Sequence, residues 1–510
     1  MKKAMAVVCV LVGMLCGYAV ADANDRVPGL ITLAPSEDAP QPYPAVRAAS
    51  TPVEQTLPNA DLSAAAAVDK QKVQGILESM ATAFAGKGDI AARVLDARTG
   101  AELGVVNAET SLIPASNMKL LTAFAALRSL GAEKTFATSV VRDGESLYLV
   151  GGGDIALAPD AGDATATLGR AGLGDLARAV AKQLTDVASV QVFVDTSSYG
   201  EPEYEPSLPA DSRSWVMSMS PIAMHLGKVS DDAPDGVASS YPADPAAEAL
   251  EAFVQQLDKA GVKAHVAGHK RAPEQAISVA AVHSAPVRSI VDYMLLVSEN
   301  SLAETLAHQV AIARGESGNF EGGATAVSQA LKEAGLDIGD SVIRDGSGLS
   351  LNNRVSPTLL TDLLSDVWAC SSRAHDAAES GDAPAGQSSG SQGGEKAQKD
   401  TKQTQKDAGQ AQKAVGQAAG GGCPTAAIGI GIPIGGIDGS LRTRFTEGAG
   451  TALVHAKTGS LDEASSLSGF VLTQQGRPLI FSIVLNTKAG VDAYAQRPII
   501  DEAVTALAEL

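Results

Sequence analysis

The stretch IPASNMKLLTAFAAL, residues 113–127, sets Ser116 ahead of an apolar, helix-forming run and places Lys119 three residues further on. In a helix the two side chains share one face, with Cβ atoms about 5–6 Å apart. A serine at a helix start sits in the positive end of the helix dipole, which favours an alkoxide or an oxyanion. A lysine pressed into the same place loses hydration and feels the same field, so its pKa falls and it can take the serine proton. An N-cap serine followed by an exposed lysine would be spelled with the same letters. The pair occurs once in the chain and needs support from elsewhere.

One source of support is HAKTGS, residues 455–460, where an apolar strand pattern ends. Lys457 there offers a fixed positive charge and Thr458 a hydroxyl for a carboxylate, while Gly459 keeps the strand edge open to an extended peptide. Taken alone, the three letters also fit a plain turn. The other source is Ser-x-Asn, for which the chain holds Ser298/Asn300, Ser317/Asn319 and Ser350/Asn352. Ser317 lies in the glycine-rich connection RGESGNF and is set aside. Ser298 and Asn300 lie in DYMLLVSENSLAETLAHQV, residues 292–310, at a break between two apolar helical segments that would hold a side chain over a cleft. With Ser298 the chain order is Ser-x-x-Lys, Ser-x-Asn, Lys-Thr-Gly.

Around these motifs the patterning changes in kind. A helical pattern covers about Leu62 to Phe84, and IAARVLDARTGAELGVVN (90–107) reads as a β-hairpin around Thr99-Gly100. Residues 134–282 switch to short strands, proline-rich loops and a helix near 245–260, the pattern of an inserted domain, and helices return at 286–315 and 322–335. Three strand patterns follow, TALVHAKTG (451–459), SSLSGFVLTQ (465–474) and PLIFSIVLNT (478–487), before an amphipathic helix with Ile499, Ile500, Val504 and Leu507. The early hairpin and the three late strands predict one antiparallel sheet. The expected catalytic body is therefore 62–133 with 283–370 and 424–510, interrupted by the insert at 134–282.

A chain of 510 residues is too long for one core. Its net charge of −19 argues against a nucleic-acid partner, which wants clustered Lys and Arg. Residues 1–21 have two lysines, an apolar run and a small-x-small site at Ala19-Val20-Ala21, the make-up of a secretory signal. If uncleaved, residues 4–21 would instead tether the chain to a membrane. Residues 22–60, with seven prolines, read as a flexible spacer. Between 371 and 422 the composition collapses to Ala, Gly, Gln, Ser, Lys and Asp, too little apolar surface to offset the entropy of ordering, so disorder is expected. Outside the signal only Cys370 and Cys423 remain, and a disulfide between them would close that tract off as a loop. His265 and His269 are four apart, but Gly268 interrupts them and no Glu lies between. The glycines at 151–153 lack the helix of a phosphate loop, and neither a metal nor a cofactor is expected.

The combination of motifs resembles the low-molecular-mass, class C penicillin-binding proteins of the penicillin-binding protein 4 type, which are D-Ala-D-Ala carboxypeptidases/endopeptidases. PASNMKLLT, DGSGLSLNNRVSP (345–357), IPIGGIDGSLRTRF (432–445) and HAKTGSLDEASSLSGFV (455–471) carry the likeness, with LYLVGGGDIAL (147–157) less closely; it covers roughly residues 70–370 and 425–510. The resemblance implies an α+β chain with the serine β-lactamase/D,D-peptidase-like transpeptidase fold, interrupted by a small α/β insert. It implies that Ser116 attacks the penultimate D-alanine carbonyl with Lys119 as base, and that Ser298 passes a proton to the leaving D-alanine. Asn300 would hold the substrate amide, Lys457, Thr458 and Gly459 would receive the terminal carboxylate and peptide, and the backbone amides of Ser116 and Ser460 would form the oxyanion hole. The implied partners are peptidoglycan stem peptides ending in D-Ala-D-Ala, with β-lactams as inhibitors, met outside the cytoplasm in the cell envelope or the extracellular space. Asp345 to Pro357 is expected to be structural, with no catalytic role.

Two other functions compete with this one. A β-lactamase needs an efficient deacylating base, yet the chain has no Glu-x-x-Leu-Asn loop and no tyrosine in place of Ser298. A non-catalytic penicillin-binding or cell-wall sensing module should have lost one of Ser116, Lys119, Ser298, Asn300 or Lys457, and all five are present.

Overall fold

The computed structural model describes residues 65–184, 189–229, 240–379 and 423–510. The expected signal or anchor (1–21), the spacer (22–60) and residues 380–422 of the low-complexity tract lie outside the described residues. Among the described residues no helix is long and apolar enough to cross a membrane.

Helix α1 (Lys70–Phe84) starts later than its apolar pattern, because the Asp69 carboxylate accepts from Gln71 N at 2.8 Å and caps it there. Its buried stripe, Val73, Leu77, Met80 and Phe84, lies on a five-stranded sheet. That sheet holds β1 (Gly88–Asp96) and β2 (Glu102–Val106) from the early hairpin, together with β10 (Val454–Leu461), β11 (Ala464–Leu472) and β12 (Pro478–Thr487). The order is β10-β11-β12-β1-β2 and every pairing is antiparallel, with Ala91 opposite Val484 where the two ends of the chain meet. Strand β12 is apolar on both faces. Leu479, Phe481, Ile483 and Leu485 join the core under α1, while Ile480 and Val484 face other clusters, as a period of two requires.

Behind the opposite face lie the helices that carry the motifs. Helix α2 (Met118–Ser129) is buried from Met118 through Leu127, the signature of a helix enclosed on all sides. Between β2 and the late strands the chain also forms β3 (Ala137–Asp143), β4 (Ser146–Val150), β5 (Asp154–Leu157), α3 (Leu173–Gln183), β6 (Val190–Asp195), β7 (Ile222–Met224), α4 (Pro245–Lys259), β8 (Ala264–His269) and β9 (Ile277–His283). Five of these strands make a second sheet, β8-β6-β4-β3-β9, parallel through β4, β6 and β8, with its own core under α3 and α4. This segment is keyed to the rest: Phe136, Ile155, Met217 and Ala223 join the main helical core. That core also takes up α5 (Val287–Val297), α6 (Asn300–Ala313), α7 (Phe320–Glu333) and α8 (Pro357–Glu379).

Helix α8 does not stop at Cys370 but runs on to Glu379, nine residues into the tract expected to lack structure. Its alanines, with a closing glutamate, are good helix formers and need no burial to continue a helix already begun. Cys370 is bonded to Cys423, with Cα atoms 5.3 Å apart across a sequence separation of 53, and joins α8 to the segment leading into α9 (Ala426–Gly431). Helix α10 (Arg497–Ala508) closes the α1 side of the sheet. In the chain-entropy picture a loop of this size is worth about 4 kcal/mol. The Cys370→Ser/Cys423→Ser double variant is therefore expected to unfold in urea with a stability lower by about that amount. An unchanged midpoint under non-reducing conditions would show that the bond does not constrain the unfolded chain.

Candidate active site

Ser116 lies on a single 3-10 turn, Ala115–Asn117, that leads into α2. Ala115 is held at φ +47°, a left-handed conformation unfavourable for a residue with a Cβ. The surroundings enforce it. Ser466 Oγ on β11 donates to Pro114 O at 2.7 Å, and Asn117 Nδ2 donates to Ser468 Oγ at 3.0 Å. Two glycines let neighbouring backbone close in on the turn. A Cβ at Gly348 would stand 1.9 Å from Ala115 O, and one at Gly459 would stand 2.1 Å from Ser466 Oγ and 2.7 Å from Pro114 O. Gly459 thus admits the serine turn against the strand.

Lys119 has no exposed surface. Its Nζ donates to Asn300 Oδ1 at 2.6 Å and to Ser347 O at 2.8 Å, and lies 3.0 Å from Ser116 Oγ. Burial pushes its pKa down to about 8, against the pull of Glu304, Asp345 and Glu299, which favour the charged form.

Ser298 occupies the left-handed C-cap of α5, with φ 63° and ψ 37°. The helical break read from the sequence is therefore a sharp one, and α6 restarts at Asn300 with Glu299 as its cap. Asn300 is fixed at both ends of its amide, since Nδ2 donates to Trp215 O at 2.8 Å while Oδ1 receives Lys119. Ser298 Oγ accepts from Lys457 Nζ at 2.8 Å, so the three motifs converge on one place.

Lys457 lies deeper than a strand-end position suggests. It is fully buried, also donates to Thr458 O at 2.8 Å, and its pKa lies well below the ordinary lysine range through burial and the nearby charge of Lys119. Thr458 Oγ1 meets Ser440 Oγ at 2.7 Å, and Ser460 Oγ accepts from Arg497. Strand β10 is an edge strand; Gly435 N, Ala456 N and the Ile434–His455 bridge pair its outer side, and this pairing stops at Ala456, just before Lys457.

The remaining Ser-x-Asn candidates do other work. Asn319 caps α7 through Gly322 N at 2.9 Å, and Ser350 N donates to Asp345 at 2.6 Å within a tight turn. That turn is where sequence reasoning fell short, because the Ser347 carbonyl in DGSGLS is a direct partner of Lys119. Ser440, in GGIDGSLRTRF, and the Trp215 carbonyl were also missed. Among the described residues no cluster of three His, Cys, Asp or Glu side chains could hold a metal ion.

A serine set against a buried lysine at the start of an enclosed helix, beside the edge strand of a five-stranded antiparallel sheet, defines a serine hydrolase of the penicillin-recognising fold. The sequence matches the D-Ala-D-Ala carboxypeptidase 3 (S13) family over residues 73–226, 225–407 and 425–510. It is 30% identical to a carboxypeptidase of Mycobacterium tuberculosis over 78% of this chain and 76% of that one. It is 29% identical to the carboxypeptidase DacB of Mycolicibacterium smegmatis over 83% of each chain. The structure superposes on penicillin binding protein 4 of Haemophilus influenzae with a TM-score of 0.61 and 17% identity, over 84% of this chain and 98% of that one. The chain belongs to the D-Ala-D-Ala carboxypeptidase 3 (S13) family, and it is a serine-type carboxypeptidase with the D,D-peptidase fold.

Proposed function

We propose that the chain is exported and hydrolyses the D-Ala-D-Ala bond of peptidoglycan stem peptides in the cell envelope, with Ser116 as nucleophile. The observation that carries this reading is the set of three contacts made by Lys119 Nζ, to Ser116 Oγ, Asn300 Oδ1 and Ser347 O. A neutral amine has two hydrogens and one lone pair. If Asn300 and Ser347 each take a hydrogen, the lone pair faces the Ser116 hydroxyl and can strip its proton as Oγ attacks the penultimate D-alanine carbonyl.

The oxyanion that forms would sit between the backbone amides of Ser116 and Ser460, donors worth about 3 kcal/mol each. Collapse expels the terminal D-alanine, whose nitrogen takes a proton through Ser298, and leaves Ser116 esterified. Water then releases the shortened peptide and restores the serine. The substrate carboxylate would lie by Lys457 and Thr458, where it supplies the anion that stabilises a buried ammonium. A β-lactam presents its carbonyl and carboxylate in the same way and would be trapped as the ester. The Cys370–Cys423 bond fits an oxidising compartment.

The assay offers a pentapeptide ending in D-Ala-D-Ala and a cross-linked dimer side by side, and free D-alanine is expected from the pentapeptide. Cleavage of the dimer alone would make the enzyme an endopeptidase. Rapid hydrolysis of penicillin with no stable adduct would favour the β-lactamase reading instead.

A further inference from the structure

We propose that Glu304 and Asp345 are positioning residues that aim the base, because they fix the Ser347 carbonyl against Lys119. This inference rests on the reading of Lys119 as the base. Glu304 stands on α6 one turn beyond Asn300, so both project from one face of that helix. The Glu304 carboxylate is buried and accepts from both amides of the adjacent turn, Gly346 N at 2.8 Å and Ser347 N at 2.9 Å. Asp345 secures the far side of the same turn. It accepts from Gly348 N at 2.8 Å, Ser350 N at 2.6 Å and Asn353 Nδ2 at 2.8 Å. Helix α2 adds a third tie, as Thr122 Oγ1, three residues beyond Lys119, donates to Gly346 O at 2.7 Å.

A single helix, α6, therefore sets both partners that orient the Lys119 amine. One is the Asn300 side chain, by direct contact; the other is the Ser347 carbonyl, through the two amides that Glu304 grips. The geometry has a chemical purpose. A neutral amine spins freely unless two acceptors claim its hydrogens, and with only one the lone pair would leave Ser116 for part of the time. Two buried carboxyls beside one lysine are otherwise an expensive arrangement. Burial and mutual repulsion push both Glu304 and Asp345 upward from the ordinary carboxylate range. The charged and titratable groups that face Lys119 are Glu304 from α6, Glu299 from the cap of that helix, Asp345 from the turn, and Lys457 from β10. Glu299 is itself paired with Lys228 at 3.6 Å.

The test is Glu304→Gln in the full-length enzyme, read by the rate of acylation with a chromogenic cephalosporin and by pentapeptide hydrolysis across pH. Glutamine keeps the volume but can accept only one of the two amides through its oxygen and opposes the other with its own NH2. Acylation and kcat are expected to fall about 10- to 100-fold, while KM stays within about twofold because the residue does not touch substrate. Where Glu304 is ionised it favours the protonated lysine, so its replacement also moves the acid limb of the profile to lower pH. A folded Glu304→Gln enzyme with the original rate and limb would overturn the inference.

Should that variant fail to fold, Glu304→Asp retains the charge but withdraws it by one methylene from the amides. A slower rate with an unmoved limb is expected, and an unchanged rate overturns the proposal. Ser116→Ala run alongside separates the two claims. Penicillin labelling that survives it removes the base assignment itself. Labelling lost there, with Glu304→Gln at full rate, removes only the positioning role.

Discussion

Ser116→Ala is expected to abolish covalent labelling by a fluorescent penicillin while leaving the enzyme folded. The outcome is not trivial, because the site contains two serine–lysine pairs. Ser116 Oγ lies 3.0 Å from Lys119 Nζ, and Ser298 Oγ lies 2.8 Å from Lys457 Nζ, with both lysines buried and both pKa values lowered. What singles out Ser116 is its place at the start of α2, beside Gly459 and Ser460 on the open part of the β10 edge. The positive helix end and the backbone amides there can receive the charge that develops on the carbonyl oxygen. Ser298 occupies the αL cap between α5 and α6, where the negative end of one helix dipole offsets the positive end of the next. Removing the Ser116 hydroxyl leaves Lys119 two of its three partners, so little stability is lost. Ser298→Ala should still be labelled, more slowly. Mass spectrometry of the tryptic adduct decides the matter, and an adduct on Ser298 in the Ser116→Ala enzyme would exchange the roles of the two pairs.

The second large effect is that of Lys119→Met, which is expected to slow acylation about 10³-fold, within the range for loss of a general base. Methionine fills the buried volume without a basic nitrogen, and Ser116 remains in place. The pH dependence follows from the charge state. Lys119 must be neutral to act, and its pKa lies at about 8, so it is mostly protonated at neutral pH. Acylation by the unaltered enzyme should rise about tenfold between about pH 7 and pH 9 and level off beyond, with the rate lost as pH falls. In Lys119→Met that limb disappears. A limb of the same position in the variant would assign it to another group, with Glu304 the first candidate because burial pushes it upward from the ordinary carboxylate range.

Much of this was legible in the letters. The apolar run after Ser116 announced a helix, the interruption at Ser298 marked a place where one helix ends and another begins, and strand-length patterns at both ends of the chain foretold a shared antiparallel sheet. What escaped notice has a common cause. The Ser347 and Trp215 carbonyls are backbone groups, which every residue carries, so no choice of side chain advertises them. The state of Lys457 depends on burial among distant elements, and strand patterning says nothing about whether a lysine at a strand end keeps its water. Glu304 left a faint trace, an acidic residue inside the buried run SLAETLAHQV. A charge seldom sits there without partners, and its partners lie on a turn some forty residues away. The late start of α1 was set by the cap at Asp69, which outweighed the helix-forming alanines before it.

The pairing of β1 with β12 has a further consequence for the life of the molecule. As the polypeptide is synthesised, the helix bearing Ser116 emerges early, whereas Lys457 and the strands that complete its sheet come hundreds of residues later. Contacts so distant in sequence form slowly. On the proposed mechanism a nascent chain would carry its nucleophile before its oxyanion pocket and carboxylate seat exist, and would gain hydrolytic power only when the last strands dock. Such a delay would keep an immature chain harmless to any peptide it meets on the way to its destination.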